Sequence, residues 1–271
     1  MTQLVLDRVQ LAYENESTGA SFLALSNVAF TIDRGEFVTI VGPSGCGKST
    51  LLMLIAALLK PTSGDLRLNG APITKPGSDR ALVFQDFALL PWRTVIANVE
   101  LGLELKGVAR KARRETARRY VSMVGLKAFE NAYPHQLSGG MRQRVGIARA
   151  LGVEPEVLLM DEPFGALDAQ IRQVMASELL RIWERDRKTI LFVTHDIDEA
   201  IYLADRVIVM SASPGRIIEE IAIDLPRPRD LSVRNTPRFV AWRERIWNLL
   251  EAQIRGSGSW EQSDVEPVVA R

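Results

Sequence analysis

The sequence predicts an α/β fold: a largely parallel sheet, an antiparallel β subdomain at the N-terminus and an inserted α-helical subdomain. Three observations support this prediction. Short apolar segments each precede a turn or a helix, the segments before residue 40 alternate in polarity, and residues 92–151 show helical periodicity. With 271 residues, of which 46% are hydrophobic and 25% charged, the chain can form one sizeable core with a subdomain.

The first elements alternate apolar and polar residues and are separated by polar breaks. Residues 4–6, 9–11 and 25–32 follow this pattern. Alternation is typical of half-buried strands, so we expect antiparallel strands joined by turns.

The later strands are continuous apolar segments. They lie at residues 37–41, 81–84, 157–160, 189–193 and 207–210, and such segments are typical of a parallel sheet covered on both faces. Helical periodicity at residues 97–105, 111–124 and 141–151, with no convincing strand among them, predicts a helical subdomain at about 92–151 inserted into the core.

The C-terminal part begins with a proline- and arginine-rich segment at residues 226–229. Residues 236–254 then carry a broad apolar stripe, which predicts an amphipathic helix docked on the core. Its members are Phe239, Val240, Ile246, Leu249, Leu250 and Ile254. We therefore expect a linker and docked helix over 226–255 and a disordered tail over 256–271. The apolar stripe is compatible both with a helix that regulates the protein and with one that only packs against the core.

The composition of the chain limits the classes of function that it can have. The formal net charge is +1, and the one basic run, residues 106–119, has helical spacing and contains Glu115, so we interpret it as a solvated helix face rather than a nucleic-acid patch. Cys46 is the single cysteine, which excludes a disulfide within the chain and favours a reducing compartment such as the cytoplasm.

The longest apolar run, 51–59, is shorter than the about 20 residues that span a bilayer, and the N-terminus lacks a secretory-signal pattern.

A glycine-rich loop lies between the apolar segments 37–41 and 51–55. It reads Gly42-Pro43-Ser44-Gly45-Cys46-Gly47-Lys48-Ser49-Thr50. Its glycines let successive N–H groups point inward to hold phosphates, while Lys48 would reach the β- and γ-phosphates and Ser49 would bind Mg²⁺. An ordinary Gly/Ser turn is the alternative, but the complete G-x-x-x-x-G-K-S pattern in this context favours a P-loop NTPase core.

Two adjacent carboxylates, Asp161 and Glu162, follow the apolar segment 157–160. The end of a buried strand is where ligands meet an α/β sheet. Asp161 can hold Mg²⁺ through water, and Glu162 can take a proton from a water that attacks the γ-phosphate. A helix cap or turn is the more common role of such a pair alone, but the upstream phosphate loop favours catalysis.

The segment Leu137-Ser138-Gly139-Gly140-Met141 precedes an amphipathic helical pattern. A helix that begins at Ser138, Gly139 and Gly140 offers exposed N–H donors and hence a second anion site, although a plain helix cap is the alternative. Two phosphate-facing helix ends in one chain suggest that the second serves a nucleotide held by another copy.

Taken in order, these motifs resemble the ATPase subunit of an ABC transporter over about residues 3–225. The resemblance implies an ABC ATPase domain over 1–225 with ATP and Mg²⁺ as its cofactors. It identifies Gln85 as the Q-loop glutamine, which would reach Mg²⁺ while its loop contacts a membrane partner. It also places Asp168 in the D-loop and identifies His195 as the switch histidine, which would hydrogen-bond the γ-phosphate.

One tyrosine, Tyr13, and the second histidine, His135, can also be interpreted. Tyr13 resembles the aromatic residue that stacks on adenine, with ordinary packing as the alternative. His135 is interpreted as structural. Gly165 replaces a common serine and Met141 a common glutamine, and neither change removes a catalytic group.

Residues 84–92, 161–168, 213–218 and 225–229 are similar to the nitrate/sulfonate/taurine importer branch. This implies an ATPase at the cytoplasmic face of the membrane that energises import of a small anion. Its partners would be permease subunits, a second copy of the chain and, indirectly, a periplasmic or extracellular solute-binding protein, without nucleic acid. The alternatives are a soluble ABC ATPase in DNA or translation processes, a P-loop kinase, and an importer for another solute.

Overall fold

The computed structural model describes residues 1–14, 20–84, 88–165 and 167–256. The strands are β1 (Thr2–Glu14), β2 (Ser21–Asp33), β3 (Phe37–Val41), β4 (Ser63–Leu68), β5 (Ala71–Pro72), β6 (Arg80–Val83), β7 (Val157–Asp161), β8 (Thr189–Val193), β9 (Arg206–Met210) and β10 (Ile217–Ala222). The helices are α1 (Lys48–Ile55), α2 (Val95–Leu105), α3 (Arg110–Met123), α4 (Gly139–Gly152), α5 (Ala169–Asp186), α6 (Ile197–Leu203) and α7 (Pro237–Gly256).

The central sheet has the order β10-β9-β3-β8-β7-β6, in which all pairs but β10–β9 are parallel. Its five parallel strands begin and end within one residue of the predicted bounds; Phe84 alone, predicted as strand, lies just outside β6. The apolar side chains of β3, β7, β8 and β9 are buried on both faces, as the continuous apolar segments indicate, whereas Ala81 and Leu82 of the edge strand β6 are half-buried. The predicted α/β fold class is confirmed.

The second sheet, β2-β1-β4-β5, is antiparallel. The two predicted segments at 4–6 and 9–11 are one strand, β1, whose register shifts between Leu6 and Val9 around Arg8 at φ 48°. The prediction missed β4 and β5, because only Leu66 and Leu68 of β4 are buried and a pattern this short is not distinctive. This sheet packs on α1 and on one face of the central sheet.

Helices α2, α3 and α4 pack on one another, and the residues between 92 and 151 contain no strand, as predicted. Four of the five arginines of the basic run form ion pairs with acidic residues other than Glu115. The pairs are Arg113–Glu104, Arg114–Glu100, Arg118–Glu130 and Arg119–Glu154.

Helix α7 packs on the core through apolar side chains on one face. Phe239 and Ile246 are fully buried, Leu249 and Leu250 pack against the same cluster, and the side chain of Ile254 lies outside the described residues, as does the predicted tail beyond residue 256. Among the described helices, none is long and apolar enough to cross a membrane.

Candidate nucleotide site

Three neighbouring strands position the predicted site. β3, β8 and β7 are adjacent and parallel, so their carboxyl ends lie at one edge of the sheet. The phosphate loop follows β3, His195 follows β8, and β7 ends at Asp161 and Glu162. The topology thus brings together residues that are up to about 150 positions apart in the chain.

The phosphate loop depends on its glycines in two ways. Gly45 and Gly47 adopt φ values of 76° and 93°, which L-amino acids with a side chain rarely adopt. At Gly42, an added Cβ would lie 2.8 Å from Cys46 Sγ, so the loop closes too tightly for a side chain there. The loop leads directly into α1, whose first N–H groups are available to an anion.

Lys48 is buried at the start of α1. Its Nζ donates hydrogen bonds to the carbonyl oxygens of Gly42 at 2.9 Å and Pro43 at 3.0 Å, which holds the ammonium within the loop. Burial raises the pKa of the neighbouring Cys46 thiol, so this cysteine stays protonated and is not an activated nucleophile.

Ser49 and Asp161 meet beside this loop. Ser49 Oγ donates to Asp161 Oδ1 at 2.9 Å, and desolvation raises the pKa of Asp161 against the lowering effect of that hydrogen bond. No group of three His, Cys, Asp or Glu side chains among the described residues forms a protein-only metal site. Mg²⁺ in nucleotide sites is typically held by one or two protein oxygens together with phosphates and water, and Ser49 with Asp161 fits that requirement. Gln85, the third predicted ligand, lies outside the described residues.

Glu162 and His195 form a contact that the sequence does not reveal. His195 Nδ1 lies 2.8 Å from Glu162 Oε2. Glu162 has φ 42°, an uncommon conformation for a residue with a side chain, and its N–H donates to Val193 O at 3.0 Å, which ties it to β8. Because an ionised carboxylate only accepts hydrogen bonds, the contact requires a proton on Nδ1.

Tyr13 lies next to the end of the phosphate loop. Its hydroxyl oxygen is 3.5 Å from Thr50 Oγ1, and the ring is 43% exposed. An exposed ring in this place can stack on a planar base.

Ser138, Gly139, Gly140 and Asp168 form a separate group. Ser138 Oγ accepts a hydrogen bond from the Met141 N–H and caps α4, and Asp168 caps α5 in the same way. An added Cβ on Gly140 would lie 3.2 Å from Ile171 Cγ2, so the beginnings of α4 and α5 are adjacent. No hydrogen bond between described residues joins Ser138 or Asp168 to the phosphate loop.

Gly215 supports the phosphate loop and was missed as a site residue. Its backbone pairs with β2 through Ser26 N–H to Gly215 O at 3.0 Å and Gly215 N–H to Ala24 O at 2.9 Å. An added Cβ would lie 2.1 Å from the Cys46 carbonyl oxygen. The Pro-Gly turn at 214–215 was the available signal, but not its place beneath the loop.

A wide cleft lies elsewhere on the molecule. It has a volume of about 1040 Å³ and lies between α3 and the end of α5. Two of its arginines, Arg119 and Arg185, already form ion pairs with Glu154 and Asp186, so its size does not make it a better nucleotide site than the phosphate loop.

The chain is similar in sequence to known ATP-binding proteins. The family model described as "ABC transporter" matches residues 25–165. An uncharacterized ABC transporter ATP-binding protein of Methanocaldococcus jannaschii is 51% identical, covering 91% of this chain and 93% of that protein. The nitrate import ATP-binding protein of Synechocystis sp. is 49% identical over 86% and 90% of the two chains. The taurine import ATP-binding protein of Yersinia pestis is 46% identical over 82% and 89%.

Solved structures show the same similarity. A dimeric bacterial ABC transporter cassette aligns with a TM-score of 0.72 and 36% identity, covering 82% of this chain and all of that one. A second dimeric structure of an ATP-binding cassette, in a post-hydrolysis state with bound ADP and Pi, aligns with a TM-score of 0.70, 36% identity and the same coverage.

Proposed function

The chain belongs to the ABC transporter ATP-binding family, whose members hydrolyse ATP, and on this premise we propose that it energises import of a small anion such as nitrate, taurine or an alkanesulfonate. The meeting of the phosphate loop, the Ser49–Asp161 pair and the Glu162–His195 pair at one sheet edge carries the ATPase part of the proposal. The names of two relatives support the import part. Because the nitrate and taurine relatives match almost equally well, the proposal names a class of anions rather than one solute.

For nucleotide binding, we assign the phosphates to the backbone of residues 42–50 and to the Lys48 ammonium. The adenine is assigned to Tyr13, whose exposed ring lies beside Thr50. Lys48 would exchange its carbonyl partners for phosphate oxygens, which are stronger acceptors for an ammonium.

The residues assigned to Mg²⁺ are Ser49, Asp161 and Gln85. When bound, Mg²⁺ would neutralise developing charge on the phosphate oxygens. The 2.9 Å distance between Ser49 Oγ and Asp161 Oδ1 supports a cation shared by these two oxygens.

For hydrolysis, we assign Glu162 as the base. Its carboxylate takes a proton from water while the water oxygen bonds to the γ-phosphorus, and the bond from that phosphorus to the β–γ bridging oxygen breaks to release ADP. His195 orients Glu162 through Nδ1, which leaves Nε2 for the γ-phosphate. Donation from both nitrogens at once requires the imidazolium form.

A second copy of the chain is the proposed partner for Ser138, Gly139, Gly140 and Asp168. These residues lie together at the starts of α4 and α5, and no hydrogen bond between described residues joins Ser138 or Asp168 to the chain's own phosphate loop. The dimeric structures of a related cassette support a head-to-tail pair in which each copy completes the other's site. Two sites would then form only in the dimer.

The permease subunits are proposed to bind at the cytoplasmic face of the membrane through the region of Gln85, with the solute-binding protein linked through them. On either side of residues 85–87 in the sequence, Phe84 and Trp92 are 40% and 71% exposed, and two such exposed aromatic side chains support an interaction surface there. We propose residues 1–225 as the ATPase domain, 92–151 as its helical subdomain and 226–255 as the linker and docked helix.

Uptake of labelled nitrate, taurine and an alkanesulfonate tests the proposal. Cells that lack this chain would be complemented with the wild type or with Glu162→Gln, with equal amounts of each protein confirmed. Loss of one solute that only the wild type restores would support the importer and name its cargo. Unchanged uptake of all three would reject this anion class and favour another importer substrate or a soluble ATPase.

A further inference from the structure

The helix that follows His195 is too short to hold its position alone. α6 has only seven residues, whereas isolated helices of fewer than about 12 residues are unstable in water. The placement of His195 therefore depends on what holds α6.

The turn that carries His195 is tied to the first turn of α6 on both sides. Before His195, Thr194 Oγ1 donates to Glu199 Oε2 at 2.5 Å. After it, Asp196 caps the helix, with Oδ1 accepting from the Glu199 N–H at 3.0 Å, and the Asp196 N–H donates to Thr194 Oγ1 at 3.0 Å. A displacement of this helical turn would move the imidazole with it.

The C-terminal end of α6 is held by the linker that precedes α7. Arg227 Nη2 donates to the Leu203 carbonyl at 2.7 Å, and its Nε donates to Asp205 at 2.9 Å. The buried Arg229 guanidinium donates to five carbonyl oxygens, which belong to Ile201, Tyr202, Ala204, Ile223 and Leu225. This linker fixes one end of the helix.

The N-terminal end is held by α7 itself. Arg243 donates to both carboxylate oxygens of Asp198, from Nε at 2.5 Å and from Nη2 at 2.8 Å. Asp198 is three residues beyond His195, in the first turn of α6. The guanidinium also lies 5.4 Å from the ring centre of Phe239, the fully buried anchor of α7, so the group that binds Asp198 is also held against α7.

We propose that Arg243 is a positioning residue of the ATPase site: through its paired hydrogen bonds to Asp198 it fixes α6 and thereby the orientation of His195 toward Glu162. This rests on the proposed roles of His195 and Glu162 in hydrolysis. Helix α7 is then part of the machinery that aligns the site rather than a passive extension.

The same helix provides a matched control. Arg245 is two residues further along α7 and pairs with Glu219 of β10, so it also joins α7 to the core, and none of its hydrogen bonds or ion pairs with described residues involves α6. If α7 acts only by docking, removing either arginine should have the same effect. If it acts through Asp198, only the removal of Arg243 should change the position of His195.

The chain has two histidines, which makes the position of His195 directly observable. We would record imidazole NMR spectra of the full-length protein labelled at histidine, with His195→Ala assigning the signals. Arg243→Gln should shift or broaden the His195 signal, whereas Arg245→Gln should not. The His135 signal, from a ring stacked 5.9 Å from that of Tyr133, should stay unchanged in both variants.

Steady-state ATPase measurements on the same proteins complete the test. Arg243→Gln should lower kcat roughly tenfold without raising KM for ATP, because a misplaced catalytic group slows the chemical step. Arg243→Lys should restore part of the lost kcat. In a protein that already carries His195→Ala, adding Arg243→Gln should not lower kcat further.

Two results would overturn the inference: equal effects of Arg243→Gln and Arg245→Gln on the His195 signal, or no effect of Arg243→Gln on it. If Arg243→Gln lowers stability, the exchanged pair Arg243→Asp with Asp198→Arg should restore the wild-type His195 spectrum, and failure to do so in a folded protein also counts against it. The spectra do not depend on turnover. A wild type without ATPase activity would instead reject the proposed function.

Discussion

Replacing Glu199 with glutamine should stabilise the protein more as the pH rises. Burial beneath the His195 turn raises the pKa of Glu199 from 4.5 to about 7, with a smaller raising effect from Asp196. The Thr194 hydrogen bond and the positive charges of Arg172 and Arg234 oppose this rise without cancelling it.

The direction in which stability changes with pH follows from how many protons the folded and unfolded states bind. Between the unfolded and folded pKa values the folded state holds more protons at this site, so its contribution to stability falls as the pH rises through that range and is constant above it. A rise from 4.5 to about 7 corresponds to about 3 kcal/mol in total, of which about 2 kcal/mol is lost between about pH 5.5 and about pH 8. Glutamine resembles the protonated side chain and removes this loss.

Urea unfolding, followed by tryptophan fluorescence at several pH values, measures the difference. The Glu199→Gln variant should gain about 2 kcal/mol over the wild type between the two ends of that range. Glu178→Gln, at a half-buried helix position paired with Arg181, is the control and should show no such trend, because its carboxylate is still open to water. Parallel pH profiles for wild type and Glu199→Gln would refute the argument.

Three further outcomes follow from the site. Lys48→Ala should weaken ATP binding by about tenfold to a hundredfold in a direct binding assay, since it removes a charge-assisted contact, and the exposed Lys60→Ala should not; equal affinities would count against the loop assignment. Gly215→Ala should weaken ATP binding by about tenfold, because its Cβ displaces the Cys46 carbonyl, and an unchanged affinity would show that the loop does not need this support. Arg229→Met should lower the free energy of unfolding by about 3 kcal/mol or more, because the five buried carbonyl oxygens that accept hydrogen bonds from its guanidinium lose their donor; the exposed Arg238→Met should cost less than about 1 kcal/mol, and similar losses would contradict the reasoning.

The parallel core and the order of its motifs could be predicted because each depends on local pattern. A continuous apolar strand followed by a glycine-rich loop or a carboxylate pair is visible within about ten residues, and parallel-sheet topology then places those loops at one edge. This is why Lys48, Ser49, Asp161 and His195 could be named before their distances were known.

The parts that were missed depend on contacts between distant residues. β10 was not predicted, because its two central glutamates make an edge strand resemble a polar linker. Gly215 has an ordinary turn sequence, and only the fold places it against Cys46. The Arg243–Asp198 pair joins residues 45 positions apart, and no periodicity distinguishes it from the other ion pairs of α7.

The central claim is that ATP closes two copies of the chain around composite sites. The most direct test is the mass of Glu162→Gln by light scattering, with and without MgATP, because this variant should bind ATP without hydrolysing it. We expect a single-chain mass without nucleotide, twice that mass with MgATP, and a single-chain mass again when Ser138→Arg is added. A Glu162→Gln protein that binds ATP but keeps its single-chain mass, or a dimer that Ser138→Arg does not disrupt, would contradict it.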